Sequence, residues 1–173
     1  MSGVKVTLKI ATSLDARIAL SDGTSQWITC SESRARAHEL RAAHDAVLVG
    51  IGTVLADDPL LTARTVPLPK TQPVRIVADS HGRTPRSSRL VQSVSSGRVD
   101  VATNGQPQDI LAASGVEIWR CGKGIRVDVN DLLQRAEIEG ISSLLIEGGG
   151  TLAASFIREG LVHEIAWFRA PIL

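Results

Sequence analysis

The residues best suited to chemistry lie in one short run, Glu147-Gly148-Gly149-Gly150-Thr151-Leu152. An apolar stretch, Leu144-Leu145-Ile146, leads into it, and a helix-like spacing of Leu152, Ala153, Phe156 and Ile157 leads out. A strand that ends in an acid and then opens a helix through glycines presents backbone N–H groups to whatever sits above it. Helix N-termini favour anions, and glycine lets a phosphate approach the backbone closely. The expected chemistry is binding of a phosphorylated cofactor or substrate beside a carboxylate. The competing reading is a tight strand–helix turn with Glu147 in a salt bridge to a neighbouring arginine. In both, an acid at the tip of a buried strand needs a partner, because burying an unpaired charge is costly.

Other candidates are weaker. Lys9 falls within the strand pattern Val6, Leu8, Ile10, on the opposite face. Its default is an edge or surface lysine; burial would tune its proton affinity and make it functional. Arg34, Arg36 and Arg41 share one predicted helix, and Arg41 is the one whose planar fork suits a phosphate. Asp57-Asp58-Pro59 carries adjacent carboxylates with no third acid or histidine near, which reads as a turn. His38, His44, His81 and His163 lack ligand spacing, so structural histidines and no metal site are expected. GxGxxG, GxxxxGK[ST] and GxSxG are all missing, which argues against the dinucleotide fingerprint, P-loop ATP hydrolysis and a serine-hydrolase elbow.

The elements that must position these residues follow from periodicity. Val4, Val6, Leu8 and Ile10 alternate as a strand. Asp22-Gly23 marks a turn, and Thr29 with Glu32 fits a capping box for a helix to about His44. Ala46-Val47-Leu48-Val49 reads as a buried strand, broken by Gly50-Ile51-Gly52-Thr53 into a short helix through Val54-Leu55-Ala56. Residues 65–73 hold three prolines and predict a loop. Strands are predicted at Val74-Arg75-Ile76-Val77-Ala78, Val99-Asp100-Val101-Ala102, from Val116 to Trp119, at 144–146 and at Glu164-Ile165-Ala166-Trp167-Phe168. Between them, Pro107 opens a helix that Gly115 stops, and Asn130 caps one carrying Leu132, Leu133 and Ala136.

Alternating strands and helices predict an α/β fold, a mostly parallel sheet in three layers with helices on both faces. Ligands in such sheets sit beyond the carboxyl ends of the strands. Ala11-Thr12-Ser13, Gly50-Ile51-Gly52-Thr53 and Glu147-Gly148-Gly149 are the segments expected there.

At 173 residues the chain fits one domain with one sizeable core. A net charge of +1 and the absence of tyrosine argue against nucleic acid or an anionic membrane surface. There is no apolar run of membrane-spanning length. Met1-Ser2-Gly3-Val4-Lys5 lacks the features of a secretory signal, and two distant cysteines, Cys30 and Cys121, suit a reducing cytoplasm.

Several segments in order resemble a known family. They are Thr7-Leu8-Lys9-Ile10-Ala11-Thr12-Ser13-Leu14-Asp15-Ala16-Arg17, Ser25-Gln26-Trp27-Ile28-Thr29, Leu40-Arg41-Ala42 and Asp45-Ala46-Val47-Leu48-Val49-Gly50. Thr53-Val54-Leu55-Ala56-Asp57-Asp58-Pro59 with Leu61-Thr62-Ala63-Arg64 is the most specific block. Asp79-Ser80, Arg83-Thr84-Pro85, Glu147-Gly148-Gly149 and Gly160-Leu161-Val162-His163-Glu164 complete the set. Together they are similar to the reductase domain of bacterial riboflavin-biosynthesis RibD proteins, which has a dihydrofolate-reductase-like fold.

The resemblance implies NADPH-dependent reduction of 5-amino-6-(5-phosphoribosylamino)uracil to its ribitylamino counterpart. By resemblance, Ala11, Trp27, Thr53, Asp57, Ser80 and the segment holding Gly149, Gly150, Thr151 and Leu152 are cofactor-contacting positions. Ser25, Arg41, Leu61, Arg64 and Glu147 are substrate positions, with Arg41 and Arg64 suited to the substrate's phosphate. Lys9 and Glu147 are the expected catalytic residues. Ser80 with Arg83 suits the 2′-phosphate that distinguishes NADPH.

Ala16 stands where the family has glycine, and Thr24 where it has glutamate. These departures keep open a non-catalytic NADP-binding paralogue, and a dihydrofolate-reductase-like enzyme on another pyrimidine or a pterin is a further reading. The family's zinc deaminase half, with its HxE and PCxxC pattern, is not in this sequence. A deaminase is expected on the same natural chain or as a separate protein, and a homodimer is expected. Residues 1–173 are read as a single reductase domain whose C-terminal strands continue past Ala170-Pro171-Ile172-Leu173.

Overall fold

The computed structural model describes residues 3–15, 17, 31–104 and 109–170. The expected turn at Asp22-Gly23, the cap at Thr29, the helix start at Pro107, Cys30 and the two family departures, Ala16 and Thr24, lie outside the described residues. The strands are β1 (Lys5–Thr12), β2 (Ala46–Gly50), β3 (Val74–Ala78), β4 (Val99–Thr103), β5 (Glu117–Arg120), β6 (Ser143–Glu147) and β7 (Glu164–Arg169). They form one seven-stranded sheet in the order β5-β4-β3-β2-β6-β1-β7, and every pairing among the described residues is parallel. The apolar runs of β2 and β6 are buried on both faces, which is why they read as continuous rather than alternating.

The helices are α1 (Ser31–Ala42), α2 (Ile51–Asp57), α3 (Arg89–Gln92), α4 (Asp109–Ala112), α5 (Val129–Ile138) and α6 (Gly150–Arg158). One face of the sheet buries Leu8, Leu48, Ile76, Leu144 and Ile146 against Leu132, Leu133 and Ala136 of α5 and Phe156 of α6. The other face buries Val47, Val49, Val77, Val101 and Leu145 against Val54 of α2, Leu90 and Val91 of α3, Leu111 of α4 and Leu40 of α1. The expected three layers follow from these two cores.

Two local expectations change. Asp128, not Asn130, caps α5: its carboxylate accepts N–H bonds from Asn130 (2.8 Å) and Asp131 (3.3 Å). The sequence offers two capping residues two apart, and the earlier one lets Val129 bury against the sheet. Helix α3 was not expected, because four residues are too few to show a period; Ser88 caps it and Leu90 is wholly buried.

The order of the strands fixes where a ligand can sit. From β2 the chain moves outward through β3, β4 and β5, then returns to place β6 beside β2. From β6 it moves the other way, past β1 to β7. Right-handed crossovers in opposite directions put the helices after β2 and β6 on opposite faces, and α2 and α6 do lie there. A crevice therefore opens above the carboxyl ends of β2 and β6.

Two carboxylates give the fold opposite pH signatures. Asp45 accepts four hydrogen bonds from the N–H and hydroxyl groups of Ser142 and Ser143, which tie the start of β2 to β6 and hold its carboxyl below the usual range. Asp100 is fully buried beside Arg98, and burial pushes its carboxyl up to about 6. A depressed folded value stabilises above the unfolded value and is lost as pH falls through the folded one; a raised value costs stability as pH climbs toward it. Asp45→Asn is expected to lower Tm by about 3–6 °C at pH 7, the gap closing as pH falls below about 4. Asp100→Asn is expected to gain on the wild type between about pH 4 and about 6. Melting curves from pH 3 to 8 decide; parallel Tm profiles would contradict both assignments.

Candidate active site

The turn from β6 into α6 is built for close approach. Gly148 and Gly149 both take left-handed backbone, with φ 71° and 79°. A Cβ on Gly148 would sit 2.9 Å from Thr53 Oγ1 on α2, so neither the backbone nor the space admits a side chain. Gly149 is the N-cap of α6 and supplies no side-chain acceptor. The first intrahelical bond is Ala153 N–H to the Gly149 carbonyl, at 3.2 Å. The N–H groups of residues 150–152 are thus left for a ligand, the arrangement that suits a phosphate.

Two adjoining cavities meet at this turn and share Thr53, Asp57, Gly149 and Gly150 as a common wall. The first, of about 530 Å³, continues over Thr151, Leu152, Ser80 and Arg83. The second, of about 410 Å³, continues over Lys9, Ala11, Arg41, Leu61 and Glu147. Together they hold most of the positions expected from sequence. Ala11, expected with the cofactor group, lines the second cavity with the substrate group. Arg64 is exposed and lines neither cavity. Ser25 and Trp27 lie outside the described residues.

Glu147 and Lys9 are cross-strand partners in the β6–β1 register, and alternation puts both on the face covered by α1. Arg41, in the last turn of α1, reaches down to them. Its Nε donates to Glu147 Oε1 at 2.6 Å and its Nη2 to Oε2 at 2.8 Å, a bidentate ion pair with side chains 15% and 9% exposed. Arg41 Nη1 donates to the Thr62 carbonyl at 3.2 Å. The fork expected to take a phosphate is therefore committed to Glu147, and the salt-bridge reading of that acid is the observed one.

Lys9 is not the edge or surface lysine of the default expectation. β7 pairs along the outer side of β1, so β1 is internal and the ammonium is half-buried, 5.4 Å from the centre of the Phe168 ring. Burial lowers its proton affinity; Glu147 partly restores it and Arg41 lowers it further.

The Asp57-Asp58 pair diverges. Asp58 ends α2 in left-handed backbone (φ 40°), and its carboxylate accepts the Arg89 N–H at 2.8 Å, fixing α3. That is the expected turn role. Asp57 faces the wall common to both cavities. Leu61 also holds a positive φ, 56°, in the segment that closes the second cavity. Among the histidines, His163 accepts the Val6 N–H through Nδ1 at 3.2 Å. His38 accepts the Arg64 N–H at 3.3 Å, with burial and the nearby Arg41 and Arg64 lowering its proton affinity. These are structural roles, as expected. His81 lies instead on the first cavity.

Arg126 and Val127, which also line the first cavity, were not singled out in the sequence. The signal was available, since the run Gly122-Lys123-Gly124-Ile125-Arg126 follows the end of β5 as the other ligand segments follow theirs.

The chain can be compared with known proteins on this basis. The family model for the RibD C-terminal domain matches residues 4–173. The riboflavin biosynthesis protein RibD of Actinobacillus pleuropneumoniae is 41% identical over 172 residues, covering 97% of this chain and 45% of that protein. The 2,5-diamino-6-ribosylamino-4(3H)-pyrimidinone 5′-phosphate reductase of Methanothermobacter thermautotrophicus is 39% identical over 170 residues, covering 97% of this chain and 78% of that protein. Among solved structures, Acinetobacter baumannii RibD superposes with a TM-score of 0.84 at 32% identity, covering 98% of this chain and 46% of that one. The Saccharomyces riboflavin biosynthesis reductase Rib7 gives 0.80 at 26% identity, covering 98% and 74%. The chain spans about half the length of the RibD relatives it matches. With its α/β fold of the dihydrofolate-reductase type, the chain belongs to the RibD C-terminal domain family.

Proposed function

We propose that this chain carries out the NADPH-dependent reduction of 5-amino-6-(5-phosphoribosylamino)uracil to its ribitylamino product, a step of riboflavin biosynthesis. The relatives' names as reductases support a reduced nicotinamide coenzyme in general. The observation that carries the reading is the common wall: an uncapped helix start suited to a diphosphate adjoins a half-buried lysine and carboxylate suited to an opened sugar. Residues in the first cavity would hold the coenzyme: Thr53, Asp57, Ser80, and the N–H groups of residues 150–152; Ala11, on the second cavity, and Trp27 are the remaining coenzyme positions that the family resemblance implies. The bound coenzyme supplies the hydride, delivered to ribose C1′ of the ring-opened substrate.

This chain's own residues do the rest. Glu147, fixed in orientation by Arg41, accepts hydrogen bonds from sugar hydroxyls near C1′. Lys9 stabilises charge on the opened sugar oxygen and gives it a proton; burial, by lowering its proton affinity, suits it to that transfer. Arg64, exposed at the end of the segment that holds Leu61, is the cation proposed for the substrate's phosphate, with Ser25 as a further substrate position. Arg41 reaches the substrate from the same side while it holds Glu147. The expected homodimer and a cytoplasmic location belong to the same reading, as does a deaminase, fused or separate, that prepares the substrate. The half-exposed Ile165 and Trp167 on β7 support a partner along that edge.

Addition of the phosphoribosylamino-pyrimidine to folded protein and NADPH is expected to drive coenzyme oxidation, read by its near-ultraviolet absorbance; a flat trace would remove the reading. Offering the deaminated substrate and its 2,5-diamino precursor separately tells which one is turned over. Glu147→Gln is expected to cut kcat/KM about 100-fold or more while leaving NADPH affinity within about 2-fold; equal losses in both would contradict its place. Lys9→Ala should lower kcat by roughly 10²–10⁴, and in the wild type kcat should fall as pH rises through the lowered value of Lys9. Weakened substrate binding with an unchanged hydride step would reject that role. Gly148→Ala forces a side chain into left-handed backbone against Thr53, so coenzyme affinity should drop by about 10-fold or more, read by direct titration; unchanged affinity would show that the turn does not hold the coenzyme.

A further inference from the structure

The connection between β5 and α5, residues 121–128, is pinned at both ends and in the middle. The Asp128 N–H donates to the Cys121 carbonyl at 3.1 Å, closing the loop on itself. Gly122 takes left-handed backbone (φ 97°), and a Cβ there would stand 3.1 Å from the Asp128 nitrogen. Asn104, just past β4, donates through Nδ2 to the carbonyls of Gly124 (2.9 Å) and Ile125 (3.2 Å). Just past β3, Ser80 Oγ accepts the Val127 N–H at 2.9 Å. Groups at the carboxyl ends of β3 and β4 thus hold the loop after β5 in place.

The residue this loop presents is Arg126, which is exposed and lines the first cavity together with His81 and Arg83. None of the three lines the second cavity, so they stand away from the common wall. Asp57, the acid lining the first cavity, is on that wall. Among the described residues, no carboxylate comes within ion-pair distance of Arg83 or Arg126. A further groove, of about 300 Å³, runs from Arg126 past Lys123 and Arg158, with the carboxylates of Asp128, which caps α5, and Glu159 also on its lining. If the amides of residues 150–152 take the coenzyme's diphosphate, the basic side has room and charge for one more anion. A phosphate monoester matches the planar fork of an unpaired arginine.

We propose that the 121–128 loop is a phosphate-reading arm, in which Arg126 selects the phosphate on the coenzyme's adenosine ribose and Ser80 positions the arm. This rests on the coenzyme reading above and deepens it. The family resemblance implies that Ser80 contacts the cofactor; the structure gives its Oγ a second task, as the acceptor that fixes Val127 and, with it, the root of Arg126.

Binding titrations of the full chain with NADPH, NADH and 2′,5′-ADP test this without relying on turnover. Arg126→Gln is expected to weaken NADPH and 2′,5′-ADP by about 10- to 100-fold and to leave NADH within about 2-fold. Ser80→Ala should weaken NADPH by a smaller factor, and Ser80→Thr, which keeps the acceptor oxygen, should restore it. Parallel loss of NADPH and NADH in Arg126→Gln would make Arg126 a diphosphate contact and overturn the proposal, as would no change in either. A wild-type protein that binds NADPH and NADH equally overturns the phosphate-reading arm alone; one that binds neither overturns the coenzyme reading with it.

Discussion

Glu147 can stand at the buried tip of β6 because Arg41 meets both of its oxygens. A carboxylate there without a partner would be driven to protonate or to pull in water. With the guanidinium in place the pair is satisfied, and breaking a buried pair by removing one member costs about 3–5 kcal/mol. The consequences spread outward. The pair docks the last turn of α1 onto the sheet, and the third arm of Arg41 holds the Thr62 carbonyl. That contact steadies the segment in which Leu61 takes a positive φ and closes the cavity. Lys9, registered against Glu147 on the neighbouring strand, has its proton affinity lowered by burial and partly restored by the acid beside it. One ion pair thus holds together the carboxylate, the last turn of α1 and the Leu61 segment beside Lys9.

The sheet decides why that pair faces a crevice and not a packed core. β2 and β6 are neighbours whose outgoing connections diverge, so α2 and α6 fall on opposite faces. Thr53 of α2 stands against Gly148 in the turn before α6, where only glycine fits. The crevice has a wall common to both cavities but two unlike ends: backbone donors and, among the described residues, arginines with no ion-pair partner on one side, a lysine and a paired carboxylate on the other. Such a division suits a reaction between an anionic coenzyme and a second, smaller molecule, with transfer across the wall where they meet.

The parts that could be read in the sequence are those fixed by local rules. The strands follow from apolar runs, the prolines mark the 65–73 loop, and the acid–glycine run after Ile146 announces an open helix start. What escaped depends on partners far along the chain. Lys9 looks like a surface residue until β7, more than 150 residues later, covers the outer side of β1. Arg41 looks free until the fold brings Glu147, 106 residues away, into its fork. Arg126 sits in a polar, glycine-rich run that resembles any surface loop; Asn104 and Ser80 turn it into a fixed arm. The capping of α5 by Asp128 was a choice between two good caps, settled by the burial of Val129. Arg64, expected near the phosphate from the family resemblance, stands exposed outside the lining of both cavities.

The most direct test of this arrangement is a crystal structure of the chain with NADPH bound. The diphosphate is expected within hydrogen-bonding distance of the N–H groups of residues 150–152, with the nicotinamide at the wall formed by Thr53 and Gly149 and open toward Lys9 and Glu147. A coenzyme bound elsewhere on the protein, or one lying in the crevice with its nicotinamide turned away from Lys9 and Glu147, would contradict it.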